Sequence, residues 1–147
     1  MNTIHFFKED VRFRLQKQEA LMTWINRVIR KHGFKLEEIN YIFCSDKYIL
    51  SLNKDFLKHD YFTDIITFDH SIEKKKIIAD IFISVDTVKK NSGKYAVSFD
   101  DELHRVMIHG VLHLLGYNDK SKQKQFAMRK MEDSCLAERA WIKTGSR

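Results

Sequence analysis

Residues 109–119 read His-Gly-Val-Leu-His-Leu-Leu-Gly-Tyr-Asn-Asp, and no other stretch constrains the fold as strongly. His109 and His113 stand four apart inside an apolar run. A helix puts positions i and i+4 on one face, about one turn apart, so both imidazoles can reach one point. Gly116 follows three residues after the second histidine, and Asp119 three residues after that. Two helical histidines, a glycine turn and a returning carboxylate fit a mononuclear metal site. The rest of the chain then reads as support for that site.

The helix that carries the histidines is expected over residues 99–115. Ser98-Phe99-Asp100-Asp101 matches a capping box, with Ser98 as N-cap and Asp101 at the third helical position. Asp100, Asp101 and Glu102 suit the positive end of the helix dipole. Leu103, Val106, Met107, Ile108, Val111, Leu112, Leu114 and Leu115 put apolar side chains almost all round its second half. That pattern marks a buried central helix. His104 falls about 500° before His109 along the helix, off the shared face, and reads as an ordinary residue.

Around this helix the pattern alternates between strand and helix. Residues 3–7 read as a first strand. Leu21, Trp24, Ile25, Val28 and Ile29 predict an amphipathic helix over 15–31, stopped by Gly33. Residues 39–44 read as a second strand. Ser45 or Asp46 can cap a short helix running to about 57. Residues 63–68 and 77–84 read as two strands of an antiparallel hairpin with a solvated tip bearing Lys74, Lys75 and Lys76. Asp80 sits among large apolar residues, so it must find donors, structural ones or a place near the metal site. A helix follows over 85–97. A last helix is expected over 121–142, with Phe126, Met131, Cys135, Leu136 and Trp141 on its buried side.

At 147 residues, 44% hydrophobic and 31% charged, the chain suits one globular domain. No apolar run approaches the roughly 18 residues of a membrane span. Residues 2–10 lack a signal-peptide apolar region, and two distant cysteines make no disulfide scaffold, so cytoplasm is the expected compartment. The net charge of +6 permits an anionic partner such as RNA without demanding one.

Burying two imidazoles costs free energy unless both find partners, and one shared metal serves both. Asp119 is the expected third ligand, since a carboxylate oxygen is a legitimate zinc donor. It has an alternative use as the cap of the following helix, with Asn118 or a water serving the metal. Three protein ligands leave one position open for water, whose pKa zinc lowers towards 7. The metalloprotease motif has a glutamate base directly after its first histidine. This chain has Gly110 there, which disfavours proteolysis and suggests close approach of another backbone or of substrate.

The run from His109 to Tyr117 resembles the signature of the YbeY family, metal-dependent endoribonucleases of bacterial ribosomal RNA maturation. Leu52-Asn53, Asp60 and Thr63-Asp64-Ile65-Ile66-Thr67-Phe68 resemble that family's second signature, and Ala79-Asp80-Ile81 sits where the family has Gly-Asp-Ile. Four positions depart from the pattern. The family's third metal histidine falls at Asp119, its phosphate-handling arginine at Leu57, and two usual prolines at Phe62 and Asp69. Leu57 has no donor for phosphate, so Lys58 or His59 next to it is the expected substitute.

The combined expectation is an α+β single domain over residues 1–147. A small mixed sheet is packed by about five helices, with the metal-binding helix buried at the centre. The resemblance implies zinc-dependent, single-strand-specific cleavage of RNA. It places the activity in maturation of the 3′ end of small-subunit ribosomal RNA and in ribosome quality control, with the small ribosomal subunit as partner. One zinc ion is expected on His109, His113 and Asp119, with Lys58 and His59 at the substrate. Neither a general base nor an oligomeric state is read from the residues. Three rival readings stand beside it: a ribosome-associated binding factor with a structural metal, a metal hydrolase of another substrate class, and a metal-free core pair of histidines.

Overall fold

A computed structural model describes residues 3–57 and 63–142. The element order is β1 (Ile4–Lys8), α1 (Gln18–Lys31), β2 (Lys35–Cys44), α2 (Asp46–Leu52), a π-helical turn (Asn53–Leu57), β3 (Ile65–Asp69), β4 (Lys76–Ser84), α3 (Val85–Tyr95), α4 (Phe99–Leu114) and α5 (Lys122–Ala137). The strands form one mixed sheet in the order β1-β2-β4-β3. β1, β2 and β4 run parallel, and β3 pairs antiparallel with β4 as the expected hairpin. The parallel β1–β2 pair needs a crossover, and α1 provides it.

Period-2 alternation decides which face of the sheet is covered. In β4, Ile77, Ala79, Ile81 and Ile83 are buried, while Ile78, Asp80 and Phe82 alternate with them and are only partly covered. The buried set joins Leu21, Trp24, Ile25, Val28 and Ile29 of α1 and the apolar side of α4 in one core. The second face carries a smaller cluster of Cys44, Ile49 and Ile66 under α2. Asp80 lies on that second face, where Asn40 Nδ2 donates to it at 3.0 Å and His70 Nε2 lies 3.1 Å away. Asn40 thus supplies the structural donor expected for Asp80.

α4 is sandwiched between the sheet and the other helices. Ser98 caps it, its side chain accepting from the Asp101 amide at 3.0 Å. Asp101 itself turns away to Arg139, 3.0 Å off, and so does not close a reciprocal box. Tyr41 donates from β2 to the Met107 carbonyl at 3.0 Å, and Trp24 of α1 donates to the Cys135 carbonyl of α5 at 2.8 Å. These two bonds tie the central helix to the sheet and the last helix to the first. Gly110 explains how α4 lies so close to the sheet. A Cβ there would come within 2.9 Å of Ile65 Cδ1, 3.2 Å of Thr67 Oγ1 and 3.3 Å of Ile81 Cδ1. The close approach at Gly110 is thus to sheet side chains, where another backbone or substrate was expected.

Several boundaries differ from the sequence reading. β2 starts at Lys35, four residues early, because Lys35 and Leu36 extend the pairing with β4. α5 ends at Ala137, not near 142. There Arg139 folds back, donating from Nε to the Leu136 carbonyl and from Nη1 to His104 Nδ1 at 2.8 Å. Phe126 is 63% exposed, against the expectation that it lines the core. The buried positions of α5 are Met128, Glu132 and Cys135, and Met131, Leu136 and Trp141 pack against the core as expected.

His104 lies off the histidine site, packed against Trp24 and Trp141. Arginine cannot accept a hydrogen bond, so Nδ1 of His104 must carry a lone pair. Burial, then the Arg139 charge, push its pKa down to about 4. The unfolded chain takes up this proton near pH 6.5 and the folded one only near 4. Stability from His104 is therefore complete above pH 6.5 and lost as pH falls towards 4. His104→Gln keeps an acceptor for Arg139 and does not titrate. Acid unfolding curves are expected to show the wild type losing about 3 kcal/mol more than this variant between pH 6.5 and 4.

Candidate metal centre

The last two turns of α4 and the loop after it build the site. His109 and His113 share one helical face, their ring centroids 4.7 Å apart. Gly116 reverses the chain at φ +109°, a conformation that L side chains rarely adopt. Its amide bonds the His113 carbonyl at 3.1 Å, and the Tyr117 amide bonds the Leu112 carbonyl at 3.0 Å. The Tyr117 hydroxyl lies 3.0 Å from His32 Nε2, which pins the loop to α1. That path returns Asp119 to the histidines.

The cap of α5 is Ser121, whose side chain accepts from the Lys124 amide at 3.1 Å. Asp119 is therefore not the cap. Asn118 Oδ1 closes a local turn with the Lys120 amide at 3.1 Å and is occupied there. Of the alternatives for the third donor, the Asp119 carboxylate is left facing the histidines, with Oδ2 4.0 Å from His113 Nε2. His109, His113 and Asp119 offer ligand atoms all within 4.8 Å of one another.

Glu132, on α5, orients the pair. Its Oε2 lies 2.6 Å from His109 Nδ1, and its Oε1 accepts from Arg105 Nη1 at 2.8 Å. Arg105 also donates to Asp133 at 2.5 Å. An ionised carboxylate only accepts, so His109 Nδ1 carries a proton, and in the neutral ring that would bind a metal Nε2 holds the lone pair. That Nε2 lies 3.1 Å from His113 Nε2. Two nitrogens bound to one tetrahedral zinc at about 2.0–2.1 Å lie about 3.3 Å apart. The spacing of the two nitrogens, the tautomer and the N, N, O donor set fit such an ion, with the exposed Asp119 carboxylate standing wider, 4.0 Å from His113 Nε2.

The charges are set by this network. Burial alone pushes Glu132 up, but the bonds from His109 and Arg105 outweigh it and hold the carboxyl below its ordinary range. Burial likewise opposes protonation of His109, and Glu132 reverses that, raising it. Burial and then the His109 charge push His113 down. Beside the site opens a cleft of about 260 Å³, which Asp64, Glu102, Arg129, His109 and Asp119 help to line. Burial raises both Asp64 and Glu102.

A family model described as Endoribonuclease YbeY matches residues 4–140. The chain belongs to the YbeY family. A protein named Endoribonuclease YbeY from Cytophaga hutchinsonii is 51% identical over 135 residues, covering 92% of this chain and 94% of its own. One of the same name from Parabacteroides distasonis is 45% identical over 134 residues, covering 91% and 94%. The solution structure of a Thermotoga maritima protein, 24% identical, superposes with a TM-score of 0.61 over 98% of this chain and 99% of its own. That likeness supports the fold. No described helix is long and apolar enough to cross a membrane.

The structure brings His109, His113 and Asp119 together. Lys58 and His59 lie outside the described residues. Glu132, Asp64 and Glu102 are not legible as site residues from local pattern. The signal for Glu132 was a carboxylate on the same helical stripe as Met128 and Cys135. The signal for Glu102 was its place on the stripe Glu102, Val106, His109, His113. Asp64 gave no signal beyond its place inside the second YbeY signature.

Proposed function

We propose that this YbeY-family chain is a metal-dependent endoribonuclease that cuts single-stranded RNA, with one zinc ion held by His109, His113 and Asp119. The observation that carries the reading is the Glu132–His109 hydrogen bond, which turns the His109 Nε2 lone pair towards His113 and Asp119. Relatives named Endoribonuclease YbeY supply the substrate class. When bound, a zinc-type ion supplies Lewis acidity, lowering the pKa of water and drawing charge from a phosphate oxygen.

The chain's own residues supply the setting. Glu132 holds the His109 tautomer, and Arg105 keeps Glu132 ionised. The Tyr117 anchor holds the loop that presents Asp119. Lys58 and His59 take the phosphate contact that Leu57 has no donor to make. A cleft of nucleotide size suits a strand with splayed bases rather than a stacked duplex. The substrate within this reading is the 3′ end of small-subunit ribosomal RNA on the small ribosomal subunit, in the cytoplasm, where the same activity serves ribosome quality control.

The test compares zinc-loaded with chelator-stripped protein on one RNA, alone and annealed to its complement. Cleavage is expected only for the single strand and only with zinc. Equal cutting of the duplex, or cutting after complete metal removal, overturns the reading. With the same strand, Lys58→Ala is expected to reduce the salt slope of RNA binding by about one. Cells lacking the protein are expected to accumulate small-subunit RNA with extended 3′ ends; correctly trimmed RNA there would remove the ribosomal role.

A further inference from the structure

Glu102 is a buried acid that the metal centre does not use. It lies in α4, two turns before His109, and is 6% exposed. Among the described residues its carboxyl forms no hydrogen bond and no ion pair, and its oxygens open into the cleft shared with His109 and Asp119. Burial and then the Asp64 charge raise the Glu102 carboxyl, the Arg105 and Arg129 charges opposing them, and its oxygens have no donor among the described residues. The position asks for a ligand that brings N–H groups.

The other wall has the matching parts. Asn91 and Tyr95, one turn apart on α3, line the same cleft. Tyr95 is 47% exposed, and the Lys94 ammonium lies 5.6 Å from its ring centroid. Exposed Arg129 of α5 lines the cleft as well. An exposed aromatic ring beside cations is the usual platform for a splayed RNA base.

We infer that this cleft is a nucleobase subsite for guanine, in which the Glu102 carboxyl accepts from N1–H and N2–H while Tyr95 stacks on the ring. The inference rests on the RNA-cutting reading for its place beside the scissile phosphate. Guanine is the one common base whose Watson–Crick edge offers two parallel N–H donors, matching the two oxygens of a carboxylate. Adenine and cytosine present an amino group next to a ring acceptor, and uracil a single donor between two carbonyls. Asn91 offers an amide donor for guanine O6, and Arg129 a contact for a neighbouring phosphate. Seven residues separate Glu102 from His109, about 10 Å along the helix, so a base seated at Glu102 leaves a nearby phosphate within reach of the metal centre.

The test titrates full-length, zinc-loaded protein with guanosine, inosine, adenosine and cytidine 5′-monophosphates, none of which has an internal bond to cut. Inosine differs from guanosine only by the lost N2 amino group. Guanosine monophosphate is expected to bind about tenfold or more tighter than inosine monophosphate, the effect of one charge-assisted hydrogen bond. Glu102→Gln is expected to bind the two alike, because its amide sets a donor against N1–H or N2–H. Tyr95→Ala, a change at an exposed site, is expected to weaken guanosine monophosphate at least about fivefold through lost stacking. Equal affinity for all four nucleotides, a preference for adenosine or cytidine, or no measurable binding overturns the subsite. If Glu102→Gln does not fold, the guanosine-to-inosine ratio of the wild type and the Tyr95→Ala result decide. Loss of metal-dependent RNA cleavage alone would sink the nuclease reading and leave this nucleotide ranking to be read independently.

Discussion

His113→Ala is expected to strip the metal centre and to lower RNA cleavage by at least about 100-fold, since a bound ion supplies several kcal/mol of charge stabilisation. Of the two proposed histidine ligands, His113 is the one whose removal best separates chemistry from folding. Its side chain is 34% exposed, whereas the His109 side chain is 22% exposed and bonded to buried Glu132. The His113→Ala protein should therefore melt like metal-free wild type while elemental analysis finds less than one-tenth of the wild-type zinc. Full zinc occupancy with normal cleavage would remove His113 from the ligand set. Asp119 gives a second arm. Its side chain is 50% exposed and hydrogen-bonds no other side chain among the described residues, so Asp119→Ala costs little stability. Asp119→His replaces the carboxylate by the imidazole that the family pattern has there. It is expected to hold zinc at least as tightly as wild type, measured by competition with a chromogenic chelator.

The parts of this centre differ in how far they could be read from residues alone, and the reason is the range of the interaction involved. The i, i+4 histidines, the Ser98 cap and the Gly116 stop are local features, decided within a few residues, and the structure has them as expected. The hairpin of β3 and β4 follows from two apolar runs around a charged tip, and it too is local. The parallel pairing of β2 with both β1 and β4 is a long-range outcome that no local pattern dictates. Glu132 shows the other kind of miss. A periodicity reading seeks apolar residues, so an acid at a core position hides the true stripe of Met128, Glu132 and Cys135. The same oversight assigned Phe126 to the core. It sits at the surface instead, with the Lys130 ammonium 5.1 Å from its ring centroid.

Glu132→Gln is expected to weaken zinc binding about 10–100-fold without touching a ligand, the usual effect of losing the partner of a ligating histidine. The size of the effect follows from donor and acceptor counting. Glu132 accepts from His109 on one oxygen and from Arg105 on the other. Glutamine has one acceptor and one donor in the same space. If the amide oxygen faces His109, its NH2 opposes the Arg105 guanidinium. If it faces Arg105, its NH2 demands a lone pair on His109 Nδ1, moving the proton to the Nε2 that the metal needs. Either arrangement leaves a mismatched buried donor, at about 1–3 kcal/mol of stability. Glu132→Ala removes both acceptors and costs about 3 kcal/mol, at the low end for a broken buried pair because Arg105 keeps Asp133. The pH dependence separates this from simple cavity formation. Although burial opposes it, His109 and Arg105 hold the Glu132 carboxyl below its ordinary value. Its stabilisation is present above the unfolded glutamate pKa of about 4.3 and lost as pH falls through the lower folded value. Metal-stripped wild type should therefore lose this part of its stability below about pH 4.3, and the Gln variant should lack that step. Identical acid limbs in the two proteins, together with unchanged zinc affinity, would show that Glu132 does not set the His109 tautomer.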